Sequence, residues 1–80
     1  MKNLVREKIV KELDKRIKGF CIANWHDNIL IITIFCNNQS FTIQCNDVLD
    51  DILNNITIDK IVSDILATYK KNLLKIYFKK

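Results

Sequence analysis

Chemistry in this chain has few candidate carriers: one histidine, three cysteines, nine carboxylates and thirteen lysines and arginines. His26 is adjacent to Asp27, but on a strand neighbouring side chains point to opposite faces, so the pair does not make a His–Asp dyad. Cys21, Cys36 and Cys45 lack Cys-x-x-Cys spacing and lack an obvious fourth ligand, so the sequence predicts no metal site and no cofactor. Their odd number fits reduced thiols rather than a disulfide framework. Asp47, Asp50 and Asp51 look like paired carboxylates, yet at the start of a short helix they serve the helix dipole and solvation. With one glycine, Gly19, no phosphate-cradling loop is available. The expectation is a protein that binds rather than catalyses.

Charge is the stronger signal. Residues 1–18 carry seven basic and three acidic side chains, residues 19–69 one basic and six acidic, and residues 70–80 five lysines. The ends are basic and the middle is acidic. Lys8, Lys11, Lys15 and Lys18 are spaced three, four and three apart, which puts them on one side of a helix. With Lys71 and Lys75 they are candidates for contacting nucleic-acid phosphates or an acidic partner. Only two of the basic residues are arginines, so base-specific reading is not expected. The competing account is a solvated helix face laced by Glu7–Lys11, Glu12–Arg16 and Asp14–Lys18 pairs.

Several elements must position these groups. Eighty residues make one domain spanning 1–80. Val5, Ile9, Val10, Leu13 and Ile17 recur at helical spacing over residues 2–18, and Gly19 follows where a C-cap belongs. Three strands come next: Phe20 to His26, Ile29 to Cys36 and Ser40 to Cys45. Asp27-Asn28 reads as a type I′ turn, and Asn37-Asn38 or Asn38-Gln39 makes the second. The first turn pairs Trp25 with Leu30, Ala23 with Ile32 and Cys21 with Ile34. Either second turn sets Phe41, Ile43 and Cys45 beside the even-numbered central residues, so all three cysteines project to one core face. Asn46 or Asp47 caps a short helix through Leu53, ended by Asn54-Asn55. Thr57 caps a last helix, with Ile56 and Ile61 at staple positions. Ile58, Ile61, Val62, Ile65, Leu66, Tyr69, Leu73, Ile76 and Tyr77 share its apolar stripe, while Leu74 and Phe78 fall off it. The stretch from Leu73 also alternates as a strand would; helix is favoured because no breaker precedes it. The fold class is α+β, a three-stranded antiparallel sheet with helices in the order α-β-β-β-α-α.

Ile29 to Cys36 is apolar on both faces. One face joins the core. The other, with Phe20, Ile22, Ile29, Ile31 and Phe35, is either crossed by a helix or left as an interface, to which Leu74 and Phe78 add weight. A homodimer through this face is one expectation. No run is long enough to span a membrane and no signal peptide opens the chain, so the cytoplasm is the expected compartment.

Two resemblances follow. The α-β-β-β-α portion has the element order of double-stranded RNA-binding domains. Those place a basic Lys-Lys-x-Ala-Lys type motif where this chain has acidic Asn46-Asp47-Val48-Leu49-Asp50-Asp51, which argues against that mode of binding. The full α-β-β-β-α-α order also resembles a small prophage-encoded anti-CRISPR family that inhibits the CRISPR nuclease. Leu4-Val5-Arg6-Glu7 is similar to the start of its first helix. Phe41-Thr42-Ile43 and Ile61-Val62-Ser63-Asp64 are similar in pattern to its third strand and final helix. That inhibitor is strongly acidic and mimics DNA, whereas this chain is net +4, so only the segment Asp47 to Asp64 fits such mimicry. The resemblance implies a small phage or mobile-element protein that inhibits or regulates a host protein or nucleoprotein complex by binding it. A nucleic-acid-binding regulator and a dimer-forming structural module are the alternatives.

Overall fold

The computed structural model describes residues 1–78, with side chains described through Leu74. The expectations for the side chains of Lys75, Ile76, Tyr77 and Phe78 therefore lie outside the described residues. The element order is α1 (Lys2–Arg16), β1 (Phe20–His26), β2 (Ile29–Cys36), β3 (Gln39–Cys45), α2 (Val48–Leu53) and α3 (Ile58–Phe78). This is the expected α+β arrangement, and the stretch from Leu73 continues as helix.

The three strands form one antiparallel sheet in sequence order, with β2 in the middle. Cys21 pairs with Ile34, Ala23 with Ile32 and Trp25 with Leu30, as the first turn requires. Cys36 pairs with Gln39, which fixes Asn37-Asn38 as the second turn. Both asparagines have positive φ, 54° and 62°, the sign pattern of a type I′ turn. In the first turn only Asp27 has positive φ, 55°, so its sign pattern is that of type II′ rather than the expected I′.

The first helix ends earlier than its periodicity suggests. Ile17 donates its N–H to the Leu13 carbonyl and is extended, at φ −114° and ψ 157°. Gly19 is not a C-cap, because its φ is not positive. The reason for a glycine is proximity: a Cβ there would stand 1.9 Å from the Phe35 carbonyl oxygen. The chain crosses the end of β2 too closely for any side chain.

The later caps follow the sequence. Asn55 is left-handed at φ 62°; Ile56 N–H reaches the Asp51 carbonyl at 2.9 Å and Asn55 N–H the Ile52 carbonyl at 3.1 Å. This is a Schellman ending for α2. Thr57 Oγ1 accepts from Lys60 N–H at 3.1 Å, capping α3. Asp47 holds the N-cap position of α2 without a side-chain capping bond.

The core joins Val5, Ile9 and Leu13 of α1 to the sheet face that carries the even-numbered residues of β2 (the even face, the opposite one being the odd face) and to Ile61, Val62, Ile65 and Tyr69 of α3. Leu30, Ile32 and Ile34 are wholly shielded at 0% exposure. α1 packs on β1 and α3 under β3, with the two helices touching between them. Of the cysteines expected in this core, Cys21 is buried, while Cys36 and Cys45 are only half-buried because they end their strands. Phe41 meets Tyr69 edge to face at 5.5 Å.

Candidate functional site: an uncovered sheet face

Every strand residue of the buried core lies on the even face, and all three helices feed that same core. Nothing of comparable burial lies on the odd face. Phe20 is 57% exposed and Ile22 49% exposed, while Ile29, Ile31 and Phe35 are half-buried by their strand neighbours. Phe20 and Phe35, paired across β1 and β2, stack at 4.9 Å with their planes 17° apart. The patch turns polar across the sheet. Thr33 Oγ1 lies 3.4 Å from Thr42 Oγ1, and Ser40, Thr42 and Gln44 are exposed on β3. Asn24 and His26 rim the patch along β1 and are exposed. Of the interface residues read from sequence, the structure joins Phe20, Ile22, Ile29, Ile31 and Phe35. It does not join Leu74, which is exposed on α3, in the opposite layer.

The lysine face is divided. Lys8, Lys11 and Lys15 line a cleft of about 490 Å³ together with Glu12, Ile58 and Asp59. Lys15 pairs with Glu12 at 3.2 Å, and Arg16 pairs with both Asp59 and Glu12, the latter at 3.6 Å. The hydrogen bond that Arg16 donates to the Asp59 carboxylate holds its guanidinium still more firmly protonated. Lys18 does not join this group, because α1 ends at Arg16 and the chain turns away. It lies instead in a cleft of about 450 Å³ with Arg16, Cys36, Gln39, Tyr69 and Lys70. Lys71 is exposed elsewhere on α3 and lines neither cleft. Of the expected helix pairs, Glu12–Arg16 forms, but Asp14 is engaged away from Lys18.

That engagement is the feature the spacing of residues did not reveal. Asp14 Oδ1 accepts the Cys21 backbone N–H at 3.1 Å and the Cys21 Sγ–H at 3.5 Å. Arg6 donates to the Ala23 carbonyl at 3.4 Å, and Lys2 Nζ to the Asp27 carbonyl at 2.8 Å. Trp25 Nε1–H reaches back to the Lys2 carbonyl at 2.9 Å. Polar side chains of α1 thus take up two of the outward backbone groups of β1, the Cys21 N–H and the Ala23 carbonyl.

None of the thiols with a resolved shift is poised as a nucleophile. Burial, reinforced by the Asp14 charge and its hydrogen bond, pushes the Cys21 thiol up to about 12. Burial pushes Cys45 up to about 11. The Tyr69 hydroxyl is also raised, first by burial and then by its hydrogen bond to Cys36. His26 is exposed and makes no side-chain hydrogen bond among the described residues. Among the described residues no group of three or more His, Cys, Asp or Glu gathers as a metal site requires. Asp47 and Asp50 are exposed and Asp51 half-buried at the start of α2. No described helix is long and apolar enough to cross a membrane.

Comparison with family models, curated proteins and solved structures finds no match for this chain.

Proposed function

We propose that this chain is a non-catalytic binding protein that inhibits or regulates a host protein or nucleoprotein complex through the uncovered face of its sheet. The observation that carries the reading is Phe20 and Ile22 standing about half exposed beside Ile31 and the Phe20–Phe35 stack, with all the helices committed to the other face. Apolar surface left open on one sheet face is what a partner with an apolar surface of its own covers. The polar rim of Asn24, His26, Thr42 and Gln44 supplies the hydrogen-bonding border that such interfaces have.

A photo-crosslinking residue at Ile22, introduced in host cells, tests this directly. A discrete adduct with another protein is expected, and the same label at Ser63, exposed on α3, gives none. Equal labelling from both positions, or none from Ile22, overturns the reading. The anti-CRISPR version is tested separately, by inhibition of guided DNA cleavage by a purified CRISPR nuclease. It falls if cleavage is unaffected, while the binding reading then rests on the crosslink.

A second reading has one observation in its favour, the gathering of Lys8, Lys11 and Lys15 around one cleft. If the chain contacts phosphates there, duplex DNA binding weakens steeply as salt rises and is lost on changing the three lysines to glutamate. Glu12 and Asp59 in the same cleft weaken the field it offers.

A further inference from the structure

The two edges of the sheet are unequal, and from that difference we infer that a second copy of this chain pairs with β3. In two-residue hairpins the residues flanking the turn form a hydrogen-bonded pair, and such pairs recur at every second residue. His26↔Ile29 and Cys36↔Gln39 flank the two turns. The backbone groups of β1 that point away from β2 therefore belong to Cys21, Ala23 and Trp25. Those of β3 belong to Ser40, Thr42 and Gln44. On β1 the outward N–H of Cys21 and carbonyl of Ala23 are taken up by Asp14 and Arg6 of α1. On β3 the outward groups have no hydrogen-bond partner among the described residues, and all three residues are exposed. Gln39–Cys45 contains no lysine, no proline and no charge of either sign, so it lacks the usual devices that keep a further strand from adding to an edge.

Self-complementarity selects the occupant. A two-fold axis beside Thr42 sets Thr42 opposite the Thr42 of the second copy and Ser40 opposite its Gln44, so about six backbone hydrogen bonds form between the chains. The threonine pair extends the Thr33–Thr42 contact already made within the chain. Phe41 then lies opposite the second copy's Ile43 on the core side. The two ends of β3 also differ in charge. Gln39 shares a cleft with Arg16, Lys18 and Lys70, whereas Gln44 and Cys45 share one with Asp47 and Asp51. Antiparallel pairing about the axis brings the acidic end of each copy beside the basic end of the other; parallel pairing sets like charge beside like. The product is a six-stranded sheet with β1 outermost on each side, which leaves the Phe20 patch free. The inference rests on a different surface from the proposed function and stands or falls separately.

Sedimentation across a concentration series, with hydrogen exchange of the wild-type protein, tests it. The expected results are a dimer at high concentration and slow exchange of the Ser40, Thr42 and Gln44 amides that reverts on dilution. Thr42→Lys puts two like charges at the axis, and Thr42→Pro removes the outward N–H without touching a bond to β2. Both are expected to stay monomeric where the wild type is dimeric. Thr42→Lys should retain the wild-type denaturation midpoint extrapolated to the monomer. A wild-type protein that remains monomeric throughout overturns the inference. So does a Thr42→Lys protein that dimerises as tightly as wild type, or a dimer abolished by Ile22→Lys alone, which would place the contact on the sheet face.

Discussion

Leu30, Ile32 and Ile34 are wholly shielded, whereas Ile29, Ile31 and Phe35, one residue away along the same strand, are only half covered. The two sets are chemically alike. What separates them is that α1 and α3 bury their apolar stripes on one side of the sheet only. A strand apolar on both faces reads as fully buried, and in a larger α/β protein helices cover both sides. Here the described residues supply one covering layer, and no described helix packs on the other apolar face.

The largest effect tests the contrast itself. Ile32→Ala leaves a cavity under both helices and is expected to cost about 2–5 kcal/mol. Ile31→Ala, on the open face, is expected to cost under about 1 kcal/mol, since little surrounds the side chain to be left unfilled. Urea denaturation of the two variants measures the difference. Equal costs would mean that the odd face is covered after all.

Gly19→Ala follows in size. The added methyl meets the Phe35 carbonyl, which is backbone and cannot swing aside. The crossing must open, at about 1–3 kcal/mol by analogy with overpacked cores. If the variant is as stable as wild type, the chain between α1 and β1 is not held against β2.

Asp14→Ala separates the two edges. It strips the acceptor from the Cys21 N–H and is expected to cost about 1–2 kcal/mol, more than Asp51→Ala at the start of α2. The same variant should speed hydrogen exchange at Cys21 before it affects Thr33. Unchanged exchange at Cys21 would show that α1 does not seal this edge.

These particular residues also show what spacing does and does not reveal. The strands, their register and the caps at Asn55 and Thr57 were legible because each depends on neighbours in sequence: alternation, turn length, a capping side chain. The even face was legible for the same reason. Spacing makes Asp14 a partner of Lys18, because i,i+4 is all that a helix alone specifies. That α1 lies close enough to β1 to reach its backbone is a packing outcome. Gly19 has the position of a cap in the sequence for the same reason, its true neighbour, Phe35, being sixteen residues away. Coverage of the odd face depends on where three helices dock, and the pattern of any one strand is silent on that.

Alkaline pH probes the covered face through its thiols. Cys21 and Cys45 ionise in the unfolded chain near an ordinary value of 9.0 but in the folded chain only towards about 12 and about 11. The folded state thus holds more protons across that window, and stability falls as pH rises from 9 through 11 to 12, while the contribution is fully present below 9. The denaturation midpoint should drop between pH 8 and pH 10.5, and Cys21→Ala should flatten the drop. A flat wild-type profile would show that neither thiol is shielded.

The smallest stability effect carries the most functional weight. Ile22→Lys replaces an exposed apolar side chain on the outer strand of the open face, so its stability should stay within about 0.5 kcal/mol of wild type. The ammonium has water to solvate it only while that face is free. Once a partner covers the patch, the same charge is desolvated without a counter-ion, and burying an unpaired charge is what interfaces tolerate least. The variant should therefore fold as wild type and lose the partner that crosslinks at this position. Destabilisation by several kcal/mol in the isolated chain would instead make Ile22 part of a core, and the two faces of the sheet would no longer differ.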